Sequence, residues 1–170
     1  MTRVKYAFAL TAITGMLAGG LFVPAAIGQD SSGTKMENAT TAAGPGVAVT
    51  TRGSVSQTVG KLKKMIAHNG MMVMGQLNQG RVLSMTGIQV KSQTLFVGNP
   101  QIGKQLFSAD PGVGLVVPIR INVYENAYGQ TVVQYVPPSR DLNQFHDAQI
   151  TMIGNMLDQK LKGITSMLGQ

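Results

Sequence analysis

The stretch VPIRINVYENAYGQTVVQYVPP, residues 117–138, constrains this chain more than any other. Ile119, Ile121 and Val123 alternate with Arg120, Asn122 and Tyr124, and on a pleated strand such alternation separates an apolar face from a polar one. Asn126-Ala127-Tyr128-Gly129 is turn chemistry, and QTVVQYV at 130–136 supplies a second β-branched run that Pro137-Pro138 stops. The stretch reads as an antiparallel hairpin with one face committed to a core.

The core must hold the fold without covalent help, because the chain has no cysteine. That absence removes disulfides, thiolate metal sites, thioether-linked haem and cysteine nucleophiles together. At the other end of the chain, Arg3 and Lys5 precede a charge-free apolar segment from Tyr6 to Val23, and PAAIG follows with small residues at Ala26 and Gly28. Residues 1–28 are therefore expected to be a signal peptide cleaved between Gly28 and Gln29, giving an exported protein, periplasmic or secreted, with no stable membrane span after cleavage. Residues 29–45, QDSSGTKMENATTAAGP, are polar and aperiodic and read as a disordered spacer. One domain, residues 46–170, is expected behind it.

Within that domain GVAVTTRG at 46–53 reads as a first strand. Ser54 with Gln57 has capping-box spacing, Val55, Val59, Leu62 and Ile66 repeat at helical spacing, and Asn69-Gly70 ends the helix. MMVMGQLNQG at 71–80 reads as a strand and turn, RVLSMTGIQV as strand or loop, and SQTLFVG at 92–98 as a strand. Asn99 and Pro100 are N-cap and first-turn residues for a short helical insert through Phe107. After the hairpin, Asp141 with Gln144 is expected to cap a long helix carrying Leu142, Phe145, Met152, Met156, Leu157, Leu161, Ile164 and Leu168 on its apolar side. The fold class is thus α+β: an antiparallel sheet of four to five strands with two main helices on one face.

The pieces LFVGNPQIGKQLFSADPGVGLVVPIRINVYENAYGQ and VVQYVPPS together resemble the family catalogued as domain of unknown function 302. In such proteins a strand ends in Gly-Asn-Pro, a helix with a Leu leads to a small-residue loop and a Leu-Pro, and a strand ending in an aromatic and Glu precedes a Gly turn. Gly98, Asn99, Pro100, Leu106, Pro118, Tyr124, Glu125 and Gly129 match, Leu62 and Gly70 also fit, and the resemblance spans about residues 47–168. It implies a helix-packed antiparallel sheet, often dimeric, and no established activity. Family members often carry Ile-Asp-His after the second strand, where this chain has Leu77-Asn78-Gln79, so both ionisable groups are missing here.

Four constellations could carry chemistry. Gly98 to Lys104 has the spacing of a phosphate-cradling loop, but Pro100 removes a backbone N–H and Gln105 stands where a magnesium-binding hydroxyl belongs. The capped helix start accounts for the same residues. His68, Met72 and Met74 could hold Cu(I), since thioethers suit soft metals and Met72 and Met74 would share a face on a regular strand. The remaining methionines of the domain fall at helical spacing that suits core filling. Lys61, Lys64 and His68 form a basic stripe on the first helix, expected to be solvated. His146 is expected in the first turn of the last helix, and no Ser-His-Asp set or carboxylate pair can be assigned.

The polar face of the hairpin is the fourth. Arg120, Asn122 and Tyr124, joined by Tyr135 if the hairpin register allows, are the expected ligand-binding residues, because an arginine in an apolar strand is costly unless it faces water or a partner. The domain is mildly basic, and no cofactor and no nucleic acid are called for. The leading expectation is a non-enzymatic exported binding or structural module, a homodimer, using this sheet face for a partner or a small anionic or amphipathic ligand. A periplasmic Cu(I) binder through Met72, Met74 and His68 is the alternative. An enzyme of unspecified reaction is a third reading without residues to carry it.

Overall fold

The computed structural model describes residues 46–169. The expected signal peptide, its cleavage point at Gly28 and Gln29, and the spacer at 29–45 lie outside the described residues. The domain is α+β, with five strands in one antiparallel sheet. In chain order these are β1 (Val47–Thr51), α1 (Val55–His68), β2 (Met72–Leu77), α2 (Gln79–Ser84), β3 (Ser92–Gly98), α3 (Pro100–Ala109), a 3-10 turn (Pro111–Leu115), β4 (Ile119–Glu125), β5 (Thr131–Tyr135), α4 (Pro138–Leu142), a second 3-10 turn (Asn143–Phe145) and α5 (Ala148–Ser166). The strand order is β1-β5-β4-β3-β2. The β4–β5 hairpin is therefore central, with β1 and β2 as the two edges.

The turn of that hairpin sets its register. Asn126 N donates to Gln130 O at 2.9 Å, and Asn126 Oδ1 accepts from Tyr128 N and Gln130 N at 2.9 and 3.0 Å. Gly129 takes φ 74°, a left-handed conformation that costs glycine nothing. Glu125 then pairs with Thr131, Val123 with Val133 and Ile121 with Tyr135. Directly paired residues share a face, so Ile119, Ile121, Val123, Val133 and Tyr135 all point to the same side. β3 adds Leu95 and Val97 to it through their pairing with Ile121 and Ile119.

Two helices bury that side. α1 starts on a capping box in which Ser54 Oγ accepts from Gln57 N and Gln57 Oε1 accepts from Ser54 N, and it buries Val55, Val59, Leu62 and Ile66. α5 buries Ile150, Ile153, Leu157, Leu161 and Ile164. These residues and the inner sheet face form one continuous apolar core. Gly154 lets α5 come close to α4, since a β-carbon there would lie 3.0 Å from Ser139 Cα.

Three expectations change at the local level. RVLSMTGIQV begins inside helix α2, which Asn78 caps through its side chain to Arg81 N at 2.9 Å, and the rest is irregular. Asp141 does not cap the long helix. It lies inside α4, 3.2 Å from Arg140, while Asp147 caps α5 by accepting from Ile150 N at 2.8 Å. The chain cannot run straight from Asp141 into α5 because His146, expected in the helix's first turn, breaks it at φ 53°. The register of α5 moves accordingly: Ile150 and Ile153 are buried, whereas Met152 and Met156, expected on the apolar side, face solvent. Met85 and Met167 are exposed too, so these methionines are not core filler.

Asn99 performs two tasks at the joint between β3 and α3. Its Oδ1 accepts from Gln101 N and Ile102 N at 2.8 and 3.0 Å, and its Nδ2 donates to Gly70 O at 2.6 Å, tying the α3 start to the α1 end. Asn99→Ala is expected to lower stability by about 1–2 kcal/mol, read from the urea midpoint at unchanged slope. Asn99→Asp keeps the cap but cannot donate to Gly70 and should fall between the two.

Candidate functional site

With one face of the sheet closed by α1 and α5, the other carries the residues of interest in rows that cross the strands. Gly75, Phe96 and Arg120 form one row, and Leu77, Thr94, Asn122, Gln134 and Ala48 form the next. Ser92, Tyr124, Val132 and Thr50 form a third. Arg120, Asn122 and Tyr124 therefore share a face, as their alternation requires.

Tyr135 does not join them. Its pairing with Ile121 turns it to the core, where it is 4% exposed, and Gln134 is the β5 neighbour of Asn122 instead. The signal for this lay in the turn: with Asn126 and Gln130 closing the loop, every residue pair of the hairpin is fixed by counting outward. Burial raises the Tyr135 phenol above its usual value of 10.0; a side-chain hydrogen bond with Thr165 partly opposes this, and the Asp158 charge adds to it.

The two ends of the outer face differ. At the Asn122 end, α2 folds back over β3. Gln79 Nε2 donates to Thr94 Oγ1, Thr94 Oγ1 donates to Asn122 Oδ1 at 3.3 Å, and Ser92 Oγ lies 3.1 Å from Asn122 Oδ1 and 3.4 Å from Gln79 Oε1. Asn122 is consequently held in a network and half-buried, as is Tyr124. Asn78 and Gln79, standing where the resemblance leads one to expect Asp and His, are the α2 cap and the network donor. Both work as neutral groups.

At the Arg120 end the face is open. Arg120 is exposed, and no carboxylate lies within 4 Å of it among the described residues. Phe96, directly opposite on β3, leans over Gly75, whose missing side chain leaves the ring in contact: a β-carbon at Gly75 would lie 3.5 Å from Phe96 Cδ2. Met72 at 47%, paired with Gly98 one row beyond Phe96, is an exposed apolar group at this end, and Leu77, in the Asn122 row, is exposed as well. A lone guanidinium next to an aromatic ring and an exposed thioether can hold a carboxylate-bearing, amphipathic surface.

Met72 and Met74 are not the regular strand pair expected. β2 carries a bulge between Val73 and Gly75, so Met72 pairs with Gly98 and Met74 is the extra residue rather than its same-face neighbour. A β-carbon at Gly98 would lie 2.9 Å from Met74 Sδ, and Met74 lines an apolar cleft of about 130 Å3 with Ile102, Leu106, Phe107, Pro118 and Leu157. His68 is exposed in the last turn of α1. Among the described residues no three His, Asp or Glu side chains cluster as metal ligands, and no helix is long and apolar enough to cross a membrane. The Gly98 to Lys104 segment is the capped start of α3, with Lys104 exposed.

The family model described as Domain of unknown function DUF302 matches residues 47–168. The crystal structure of an uncharacterised conserved DUF302 protein from Bacillus stearothermophilus has a similar fold, with a TM-score of 0.67 and 19% identity over 72% of this chain and 96% of that one. No curated protein matches.

Because the fold favours the neutral Tyr135 phenol, its contribution to stability is complete below the unfolded-state value of about 10 and falls as pH rises through and above it. Tyr135→Phe is therefore expected to lose about 1 kcal/mol near neutral pH, from the hydrogen bond to Thr165, yet to show a shallower loss of stability between pH 9 and 11 than the parent. Urea unfolding at both ends of that range measures it.

Proposed function

The chain belongs to the DUF302 family, and on that fold we propose an exported, non-enzymatic binding module that pairs with a second copy of itself through the outer sheet face around Arg120. One observation carries this reading: Arg120 stands exposed and without a carboxylate partner among the described residues, directly opposite Phe96 and one row from the exposed Met72 of β2. Arginine, methionine and aromatic side chains are the types enriched in association surfaces. An isologous contact places the same patch on both copies, so the apolar groups cover one another and Arg120 meets the polar rim of its partner. Export rests on the charge and apolar pattern of residues 1–28.

The carboxylates support a non-catalytic role. Asp110 and Asp147 accept from backbone N–H groups at helix starts, Glu125 and Asp141 form ion pairs, and Asp158 holds Ser139. Each is engaged in structure. The histidines lie at the end of α1 and in the turn before α5, remote in sequence from both Arg120 and each other.

Sedimentation velocity on the chain from Gln29 onward should show a monomer–dimer equilibrium in the micromolar range. Arg120→Glu, at an exposed position, should keep the fold by circular dichroism and weaken the dimer by about tenfold or more, ~1.4 kcal/mol. A monomer at all accessible concentrations overturns the proposal, as does a dimer that Arg120→Glu leaves unchanged.

A further inference from the structure

The helical layer on the other side of the sheet carries a second surface, defined by where negative charge is missing. α1 contains no acidic residue, and its Lys61, Lys63, Lys64 and His68 are all exposed. The five carboxylates of residues 46–169 are engaged elsewhere, as caps, with Lys91 and Arg140, and with Ser139, and none lies within 4 Å of an α1 lysine. Among the described residues these lysines have no ionic partner. α5 adds to the same patch. Lys160 Nζ donates to Asn69 O at 3.3 Å, which brings an ammonium from α5 to the C-terminal turn of α1, beside His68. Asp158, nearby on α5, is turned the other way, accepting from Ser139 N at 3.1 Å and from Ser139 Oγ.

The second component of the patch is apolar. Met156 and Met167 are exposed; Met156 stands on α5 four residues before Lys160, and Met167, the helical-conformation cap of α5, stands seven after, which puts all three on one side. Ammonium groups interspersed with exposed thioethers on a pair of packed helices match the boundary between headgroups and acyl chains, where the first meet phosphate and the second leave water. A soluble polyanion rewards the lysines alone. We propose that the α1–α5 surface docks on an anionic lipid bilayer, leaving the outer sheet face on the opposite side of the molecule free for its own contact.

The test is cosedimentation of the full chain with vesicles of phosphatidylglycerol and phosphatidylcholine mixed equally, and of phosphatidylcholine alone, at low and high salt. Arg3 and Lys5 also favour the anionic vesicles, so the patch is isolated by comparing the parent with the lysine variant on the same vesicles. The triple variant Lys61→Gln, Lys63→Gln, Lys64→Gln changes only exposed positions. At roughly fivefold per lysine near an anionic surface, it should lose on the order of 100-fold in partitioning to the anionic vesicles and none to the neutral ones. The double variant Met156→Gln, Met167→Gln should weaken anionic-vesicle binding while leaving retention on immobilised heparin unchanged. Binding that does not depend on lipid charge overturns the proposal. Loss of heparin retention in the lysine variant, with the methionine variant unchanged on both supports, also overturns it and identifies the partner as a soluble polyanion.

Discussion

The hairpin turn at Asn126 to Gln130 is the constraint on which the rest of the domain depends. A strand pair has a period of two, so a register slip of one residue would carry Ile121, Val123 and Val133 to the outer face and Asn122 and Gln134 into the core. Three hydrogen bonds to Asn126 and the left-handed Gly129 prevent that slip. Once β4 and β5 are fixed, β3 and β1 add Leu95, Val97, Val47 and Val49 to the same side, and α1 and α5 cover it. With no disulfide in the chain, that apolar contact is what the sheet and helices share.

The same constraint creates the candidate site. Everything the inner face requires at odd positions of β4 leaves Arg120, Asn122 and Tyr124 at even ones, facing outward. What differentiates them is α2. By folding over β3 it draws Asn122 into a network with Gln79, Thr94 and Ser92, and it leaves Arg120 in the open beside Phe96. Asn78 and Gln79 hold α2 over this half of the sheet as neutral groups.

Much of this was legible because the physics was local. The capping box at Ser54 and Gln57, the Asn99-Pro100 helix start and the alternation of β4 are each set by residues within one turn or one strand, and the structure has all three. What failed depended on contacts distant in sequence or on a break no motif announces. Asp141 and Gln144 have cap spacing, but the left-handed His146 divides the helix and moves the start to Asp147, which in turn exposes Met152 and Met156. The bulge at Met74 separates it from Met72 in a way a strand pattern cannot encode. Tyr135 was expected on the outer face only if the hairpin register allowed it, and the closure of the turn decides against it.

The central claim is that two copies meet through the outer sheet face. Because the chain lacks cysteine, a single cysteine can be introduced and spin-labelled at will, and two exposed positions bracket the domain: Thr50 on the outer edge of β1 and Lys64 on the solvent side of α1. Dipolar electron resonance between labels on different copies reads which faces are near each other. The face-to-face arrangement predicts that Thr50→Cys labels couple at a shorter distance than Lys64→Cys labels in the dimer. A shorter distance between the Lys64→Cys labels would contradict it and assign the contact to the helical layer.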